Sequence, residues 1–179
     1  SVFISVVIPT YNRLPILEKC LISLEDQYYD QIIEGFEVIV VDDGSTDGTA
    51  TWLKENADRF PHVRLIEQIH GGPAKGRNKG VDNSIGDVIV FIDSDLVVTQ
   101  SFLISHAKTL SKAWKQLGNR YCFTYGAVIN TSNFVDPTSE TYKINDMSWA
   151  YFATGNVAID KKLLCMAGLF DIQFFLYGW

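Results

Sequence analysis

The hydrophobic pattern of the chain alternates short apolar runs with stretches of helical periodicity. The first run, residues 3–8, is ended by Pro9 and predicts a fully buried strand. Leucines then recur at helical spacing between positions 14 and 24, with Pro15 where a first-turn proline is tolerated. A second apolar run at 36–41 completes the pattern of one β-α-β unit.

The same alternation continues along the chain. It predicts helices from Thr46 or Asp47 to about 57, at 73–84 and at 101–117, and strands at 63–66, 87–92 and 121–129. After it come a predicted loop at 130–145, an apolar segment at 148–159 and a short helix at 160–167. Strands that alternate with helices in this way predict an α/β fold with an open, mostly parallel sheet and helices on both faces.

Composition narrows the class of protein. A chain of 179 residues with 47% hydrophobic and 13% aromatic residues is about one domain and can bury its own core, which excludes a disordered chain. The 15 basic and 21 acidic residues give a net charge of −6, which argues against nucleic acid as a partner. Any anionic ligand must therefore be held locally.

Cysteine usage and hydropathy bear on location. Cys20, Cys122 and Cys165 form no CxxC pair and have no metal-ligand spacing, so we expect reduced, buried thiols in the cytoplasm. No apolar run approaches the about 20 residues that a spanning helix needs, so no transmembrane segment is expected in this chain. A full-length protein of this kind could still act at the cytoplasmic face of a membrane.

Polar residues follow four of the predicted strands. In open α/β sheets, ligands bind outside the carboxyl ends of the strands. The sets are Pro9-Thr10-Tyr11-Asn12-Arg13, Asp42-Asp43-Gly44-Ser45, His70-Gly71-Gly72 and Asp93-Ser94-Asp95. We expect them to converge on a single crevice.

The Asp93-Ser94-Asp95 set places two carboxylates two residues apart, so both point to one side if the backbone stays extended. Hard oxygen ligands suit Mn²⁺ or Mg²⁺ held together with a diphosphate. The alternative is a solvated turn, because a D-x-D motif alone is a weak signal.

Asp42 and Asp43 are placed to accept hydrogen bonds from ribose hydroxyls or a base N–H, although Asp43-Gly44-Ser45 is also a good turn sequence.

The segment from Gly71 to Gly80 has a glycine-rich entry into a helix. Exposed N–H groups at a helix start, with Lys75 and Arg77 nearby, predict a local anion site. The segment is neither a Walker A loop nor a Rossmann fingerprint, and a plain solvated helix remains the alternative. Tyr11 is a candidate for stacking on a nucleobase, or is simply packed at the strand end.

Six motifs in this order resemble family 2 of the nucleotide-sugar-dependent glycosyltransferases, which have the GT-A fold. They are VVIPTYNR at 6–13, VIVVDDGSTDGT at 38–49, GGPAKGRNKG at 71–80, VIVFIDSD at 88–95, TGNVAI at 154–159 and GLFDIQFFLYGW at 168–179. The resemblance spans the whole chain. It implies one GT-A domain, with a nucleotide-binding half at 1–98 and an incomplete half for donor sugar and acceptor at 99–179.

The resemblance also implies roles for individual residues. Nucleotide-sugar contacts are expected from Pro9, Thr10, Tyr11, Arg13, Asp42, Asp43, Arg77, Asp93 and Ser94. Asp93 and Asp95 would hold Mn²⁺ or Mg²⁺, and the donor sugar and acceptor would lie near Gly155, Asn156 and Trp179. The implied reaction is a metal-dependent, inverting transfer from a nucleoside-diphosphate sugar, with a UDP-sugar favoured, to a hydroxyl of a glycan, a lipid-linked or another acceptor.

The proton acceptor is the missing part of this resemblance. Family 2 enzymes use an acidic pair after a Gly-Trp, and the chain stops at Gly178-Trp179, so we expect the base beyond Trp179. Asp171 and Asp146 are weaker candidates within the chain, and Ile172-Gln173 stands where the family often has an acidic residue.

Three other functions compete with transfer. The missing base makes an inactive nucleotide-sugar-binding fragment the main alternative. A phosphoryl-accepting receiver domain would need its acidic pair after the first strand, and a sugar nucleotidyltransferase would need a Gly-rich, Arg-containing loop there. Pro9-Thr10-Tyr11 fits neither.

Overall fold

The computed structural model describes residues 1–129, 135–136, 147–148 and 155–171. Its strands are β1 (Val2–Thr10), β2 (Ile33–Asp42), β3 (Val63–Glu67), β4 (Val88–Ile92), β5 (Phe123–Tyr125), β6 (Val128–Ile129), β7 (Met147–Ser148) and β8 (Asn156–Asp160). Its helices are α1 (Leu14–Glu25), α2 (Thr49–Glu55), α3 (Pro73–Asp82), α4 (Phe102–Leu117) and α5 (Lys161–Met166), with a 3₁₀ turn at Ala57–Arg59.

Six strands form one sheet in the order β3-β2-β1-β4-β8-β5. The first four in that order run parallel, whereas β8 is antiparallel to both β4 and β5. The predicted α/β fold, an open and mostly parallel sheet with helices on both faces, is confirmed. Thr10 is in register with Asp42, and Asp42 with Glu67, so the carboxyl ends of β1, β2 and β3 lie side by side.

Side-chain alternation along the central strands divides the core into two layers. On one face of the sheet, even-numbered residues of β1, β2 and β4 pack against buried residues of α1, α2 and α4. On the other face, Val7, Ile89 and Phe91 pack against Val81 of α3 and Leu164 of α5. Because both faces are covered, the central strands are apolar runs without a polar side, which is why their sequence predicts them well.

Helix α3 approaches the sheet closely because two of its positions are glycines. A Cβ added at Gly80 would overlap Val7 Cγ1, and one added at Gly76 would lie 3.3 Å from Pro9 Cβ. The close packing places Gly76 against the carboxyl end of β1, and the next residue, Arg77, reaches Asp93 after β4.

The structure corrects several expected element boundaries. The strand expected at 121–129 is two short strands in different sheets, since β5 pairs with β8 and β6 pairs with β7. The second helix begins at Thr49 and ends at Glu55, before the 3₁₀ turn. The loop expected at 130–145 lies almost entirely outside the described residues.

The expectation of three buried cysteines is wrong for two of them. Cys20 is buried, but Cys122 is half-buried and Cys165 is exposed on α5, whose buried side is formed by Leu164. None of the helices in the described part of the chain combines the length and the apolar character of a membrane-spanning segment.

Candidate functional site

The loops that follow β1 and β2 are joined by hydrogen bonds. Asn12, with a left-handed φ of 51°, donates its N–H to Ser45 Oγ at 2.9 Å and accepts from Thr46 N–H at 2.7 Å. Asp47 Oδ2 accepts from the N–H of Leu14 at 3.0 Å, at the start of α1. The two polar loops therefore form a single rim at the edge of the sheet.

Asp43 lies at the centre of this rim, with a fully buried side chain. Its Oδ1 accepts from Gln68 Nε2 at 2.6 Å and from Gly71 N–H at 2.7 Å. Its Oδ2 accepts from Gly72 N–H at 3.0 Å and lies 2.8 Å from His70 Nδ1. The carboxylate thus fixes the turn between β3 and α3, a role that its position in a D-D-G-S sequence does not reveal.

Tyr11 and His70 form a stacked pair beside Asp43. Their ring centroids are 4.3 Å apart and the ring planes are inclined by 30°. From the sequence, Tyr11 is a candidate for stacking on a nucleobase or is simply packed at the strand end, and the nucleobase contact stays a prediction. The sequence gives no sign of His70 as its neighbour, because the contact joins two loops far apart in the chain.

Three other residues predicted to line the nucleotide site are buried at the strand ends. Pro9, Thr10 and Asp42 are all buried, and Asp42 Oδ1 accepts from the N–H of Ser45 at 3.2 Å. Thr10 Oγ1 has no hydrogen-bond partner within the part of the chain that the structure describes. These residues form the floor below the rim, and their contact with a nucleotide stays a prediction.

The two carboxylates of the Asp93-Ser94-Asp95 set both reach solvent, while Ser94 between them is buried. Arg77 Nη2 lies 3.3 Å from Asp93 Oδ1, and Arg13 Nη1 lies 3.5 Å from Asp95 Oδ2. Each carboxylate therefore has one cationic neighbour. Four of the predicted site residues meet here, as the strand-end pattern leads one to expect.

Arg77 is the more enclosed of the two arginines at the site. Its side chain is 12% exposed, and its guanidinium lies 5.8 Å from the centre of the Phe170 ring. Burial lowers the pKa of Arg77 from its ordinary value, while the charge and hydrogen bond of Asp93 act in the opposite direction. A cation in a partly desolvated position interacts strongly with any anion that reaches it.

Cys20 lies beneath the two carboxylates and was not identified from the sequence as part of the site. Its Sγ is 4.0 Å from the carbonyl oxygen of Asp93. Burial, followed by the charges of Asp95 and Asp93, raises the pKa of the Cys20 thiol well above its ordinary range. The thiol is therefore a neutral packing group.

The metal-ligating side chains at this edge of the sheet, Asp93 and Asp95, suit a hard divalent cation only if a bound molecule supplies further oxygen ligands. Among the described residues, no group of three or more His, Cys, Asp or Glu side chains could hold a metal. Asp93 and Asp95 supply two accessible carboxylates, and Mg²⁺ or Mn²⁺ is commonly held by one or two carboxylates together with phosphate oxygens. The residues fit a metal that arrives with a diphosphate.

Gly155 and Asn156 have different surroundings. A Cβ added at Gly155 would lie 3.3 Å from Asp93 Oδ2, so the glycine keeps space open beside that carboxylate. Asn156 Oδ1 lies 2.7 Å from Nε2 of His106, whose Nδ1 is 2.7 Å from Thr124 Oγ1. Asn156 therefore ties β8 to α4, and its predicted contact with the sugar stays a prediction.

The segment after α5 returns to the site through a pair of hydrogen bonds. Asn78 Nδ2 donates to the carbonyl oxygen of Phe170 at 2.8 Å, and its Oδ1 accepts from the N–H of Phe170 at 2.9 Å. Asp171 follows directly and is exposed. Asp146, Gln173 and Trp179 lie outside the described residues.

Comparison with known proteins assigns the chain to a family. Residues 5–164 match the family described as Glycosyl transferase family 2, and the chain belongs to this family. The uncharacterized glycosyltransferase YfnE of Bacillus subtilis (strain 168) is 28% identical, over 98% of this chain and 57% of its own length. Glycosyltransferase AglE of Haloferax volcanii is 34% identical, over 69% of this chain and 40% of its own length.

One solved structure supports the same assignment. Mannosyltransferase PcManGT from Pyrobaculum calidifontis, in complex with GDP-Man and Mn²⁺, superposes with a TM-score of 0.69 at 25% identity, over 96% of this chain and 48% of that chain. The chain thus spans about half the length of these relatives.

Proposed function

We propose that this chain binds the donor of a glycosyltransferase that moves a sugar from a nucleoside diphosphate to a hydroxyl acceptor. The proposal depends on one observation. At one edge of the sheet, the exposed carboxylates of Asp93 and Asp95 lie beside the guanidinium groups of Arg77 and Arg13. The family of the chain, and the GDP-Man and Mn²⁺ bound by PcManGT, support it.

The donor nucleotide lies along the rim in this proposal. The base stacks on Tyr11 near Asp43, the ribose lies near Asp42 and Asp93, and the diphosphate lies near Arg77. Uracil is the favoured base, and both uracil and guanine carry a ring N–H that a carboxylate can accept. The proposed acceptor is a hydroxyl of a glycan, a lipid-linked saccharide or another molecule.

Asp93 and Asp95 would hold Mn²⁺ or Mg²⁺ in the presence of the diphosphate. When bound, the cation supplies positive charge that stabilises the departing diphosphate. Arg77 supplies a second positive charge from its partly buried position, without any change in its own protonation.

The proposed reaction is a single displacement that inverts the sugar. The acceptor oxygen forms a bond to the anomeric carbon as the bond to the β-phosphate oxygen breaks, and the electron pair leaves with the nucleoside diphosphate. The acceptor proton passes to a carboxylate base. Of the two carboxylates at described positions 155–171, Asp160 is buried against Arg120, which leaves exposed Asp171 as the candidate there.

A donor-consumption assay tests the proposed function. The full chain is incubated with Mn²⁺ and UDP-glucose, UDP-N-acetylglucosamine or GDP-mannose, and the released nucleoside diphosphate and anomeric product are followed by NMR. We expect release from one donor class with inversion, at least tenfold slower in Asp93→Asn. Asp58→Asn, which changes an exposed carboxylate on the 3₁₀ turn, is the matched control and keeps the rate. Equal rates in both variants would refute the proposed site.

A further inference from the structure

His70 places an imidazole ring where the proposed nucleotide site would receive a base. The ring is stacked on Tyr11, with centroids 4.3 Å apart. Its Nδ1 lies 2.8 Å from Asp43 Oδ2 and 3.1 Å from the carbonyl oxygen of Asp43. Because both neighbours are acceptors, Nδ1 carries a hydrogen and donates it. An aromatic ring that stacks on Tyr11 and donates an N–H to Asp43 makes the two contacts proposed for a nucleobase.

Asp43 has too few acceptor sites to bind His70 and a nucleobase at the same time. A carboxylate offers about four acceptor sites. In Asp43 those sites are filled by Gln68, Gly71, Gly72 and His70. Gly71 and Gly72 donate backbone N–H groups fixed by the turn, and Gln68 is buried. His70, with a side chain that is 40% exposed, is the donor that can leave.

We propose that His70 is a built-in competitor for the nucleobase, and that its imidazole leaves Tyr11 and Asp43 when a base with a ring N–H binds. The proposal rests on the function proposed above. It adds a residue that controls nucleotide affinity from within the chain. It also assigns the buried carboxylate of Asp43 a base contact that becomes available only after His70 moves.

The movement involves the side chain, because the backbone at His70 is held in place. Gly44, at a φ of +77°, packs against it so closely that an added Cβ would be 3.1 Å from His70 N. Rotation about the side-chain bonds of His70 releases the ring into solvent on its exposed side. The turn that carries Gly71 and Gly72 keeps its hydrogen bonds to Asp43 throughout.

With competition of this kind, the apparent affinity for the base is the intrinsic affinity multiplied by the fraction of molecules in which His70 has already moved. A half-exposed stack with one hydrogen bond is a modest competitor. We therefore expect His70→Ala to bind UMP about threefold to tenfold more tightly than the unchanged chain. Inorganic diphosphate with Mn²⁺ should bind both chains equally, since it has no base.

Calorimetric titration of the full chain with UMP, and separately with diphosphate and Mn²⁺, tests the proposal. His62→Ala is the matched control, because His62 also stacks on an aromatic ring, Phe36 at 4.1 Å, and pairs with a carboxylate, Glu25 at 2.5 Å, away from the site. It should leave UMP affinity unchanged. A UMP affinity that falls in His70→Ala, or rises equally in both variants, overturns the proposal.

A second measurement does not depend on how a variant folds. In the unchanged chain, the imidazole proton signals of His70 should shift on addition of UMP and stay in place on addition of diphosphate and Mn²⁺. A His70 signal unmoved by bound UMP overturns the competition. The proposed function fails separately, if Tyr11→Ala leaves UMP affinity unchanged or if the chain binds neither ligand, and the inference then fails with it.

Discussion

Arg77 and Asp93 form an ion pair in which the cation is the enclosed partner, with side chains that are 12% and 44% exposed and a shortest distance of 3.3 Å. The exposed carboxylate can exchange its neighbour for a metal, whereas the guanidinium stays fixed by its surroundings. The pair therefore offers an accessible carboxylate for a metal and a fixed positive charge for a diphosphate, as a site for both ligands requires.

Replacing Arg77 by lysine should weaken binding of UDP in the presence of Mn²⁺ by about tenfold, because lysine lacks the planar fork that holds phosphate at two points. Arg120→Lys is the matched control. Arg120 lies 3.2 Å from Asp87, which precedes β4, and 3.1 Å from Asp160, the last residue of β8, at the edge of the sheet away from Asp93. The Arg120→Lys variant should lose no more than about 1 kcal/mol in the free energy of unfolding, and its affinity for UDP with Mn²⁺ should be unchanged. Calorimetry gives both affinities, and equal losses in the two variants would contradict a role for Arg77 in binding phosphate.

Gly155→Ala should disturb the site at Asp93 without unfolding the chain. The new methyl group would lie 3.3 Å from Asp93 Oδ2 and 3.8 Å from Val128 Cγ2, which is tight for the first contact and ordinary for the second. We expect affinity for UDP with Mn²⁺ to fall about threefold to tenfold, and by more than the affinity for uridine, which has no diphosphate. An unchanged affinity for both ligands would show that the space beside Asp93 is not used.

Asn78→Ala removes both hydrogen bonds to the backbone of Phe170 and should lower the free energy of unfolding by about 1–2 kcal/mol. Asn83→Ala, at the end of the same helix, removes a local bond from Asn83 Nδ2 to Lys79 O and should cost much less. Urea denaturation of the two variants gives the comparison. If both variants lose the same amount, the bonds to Phe170 add nothing beyond local helix structure.

Stability should fall as the pH drops below about 6.5, through His106. Burial lowers the pKa of His106 from 6.5, and the hydrogen bond to Asn156 only partly opposes this. Below pH 6.5 the unfolded chain therefore binds a proton that the folded chain does not, until the lower folded-state pKa is reached. This contribution has a slope of at most about 1.4 kcal/mol per pH unit.

His106→Gln removes the titrating group while keeping a polar side chain. Urea denaturation at a series of pH values between 7 and 5 should show a flatter decline of unfolding free energy in the variant than in the unchanged chain. Parallel declines would assign the pH dependence to other groups.

The sequence was a good guide to the parallel part of the sheet and to the edge that carries the site. Strands covered on both faces need apolar residues at nearly every position, so β1, β2 and β4 stand out as runs, and the polar residues at their carboxyl ends follow directly. The position of β8 between β4 and β5 could not be predicted, because that pairing depends on contacts between distant segments.

The partners of the site residues were also beyond the reach of the sequence. Asp43 and Asn156 were predicted to contact ligand, but the structure shows each engaged by neighbours within the fold, among them His70 and His106. Such contacts follow from which loops meet at the sheet edge, and no local spacing encodes them. The place of Cys20 below the site could not be predicted for the same reason, since the sequence indicates only a buried thiol and says nothing of the nearby Asp93 and Asp95.

The most direct test of the central claim is the affinity of the full chain for UDP, measured by calorimetry with and without Mn²⁺, in Asp95→Asn and in the control Asp58→Asn. The account predicts that Mn²⁺ strengthens UDP binding at least tenfold in the unchanged chain and in the control, and that Asp95→Asn loses this gain. Retention of the full gain in Asp95→Asn, or the absence of any Mn²⁺ effect in the unchanged chain, would contradict the account.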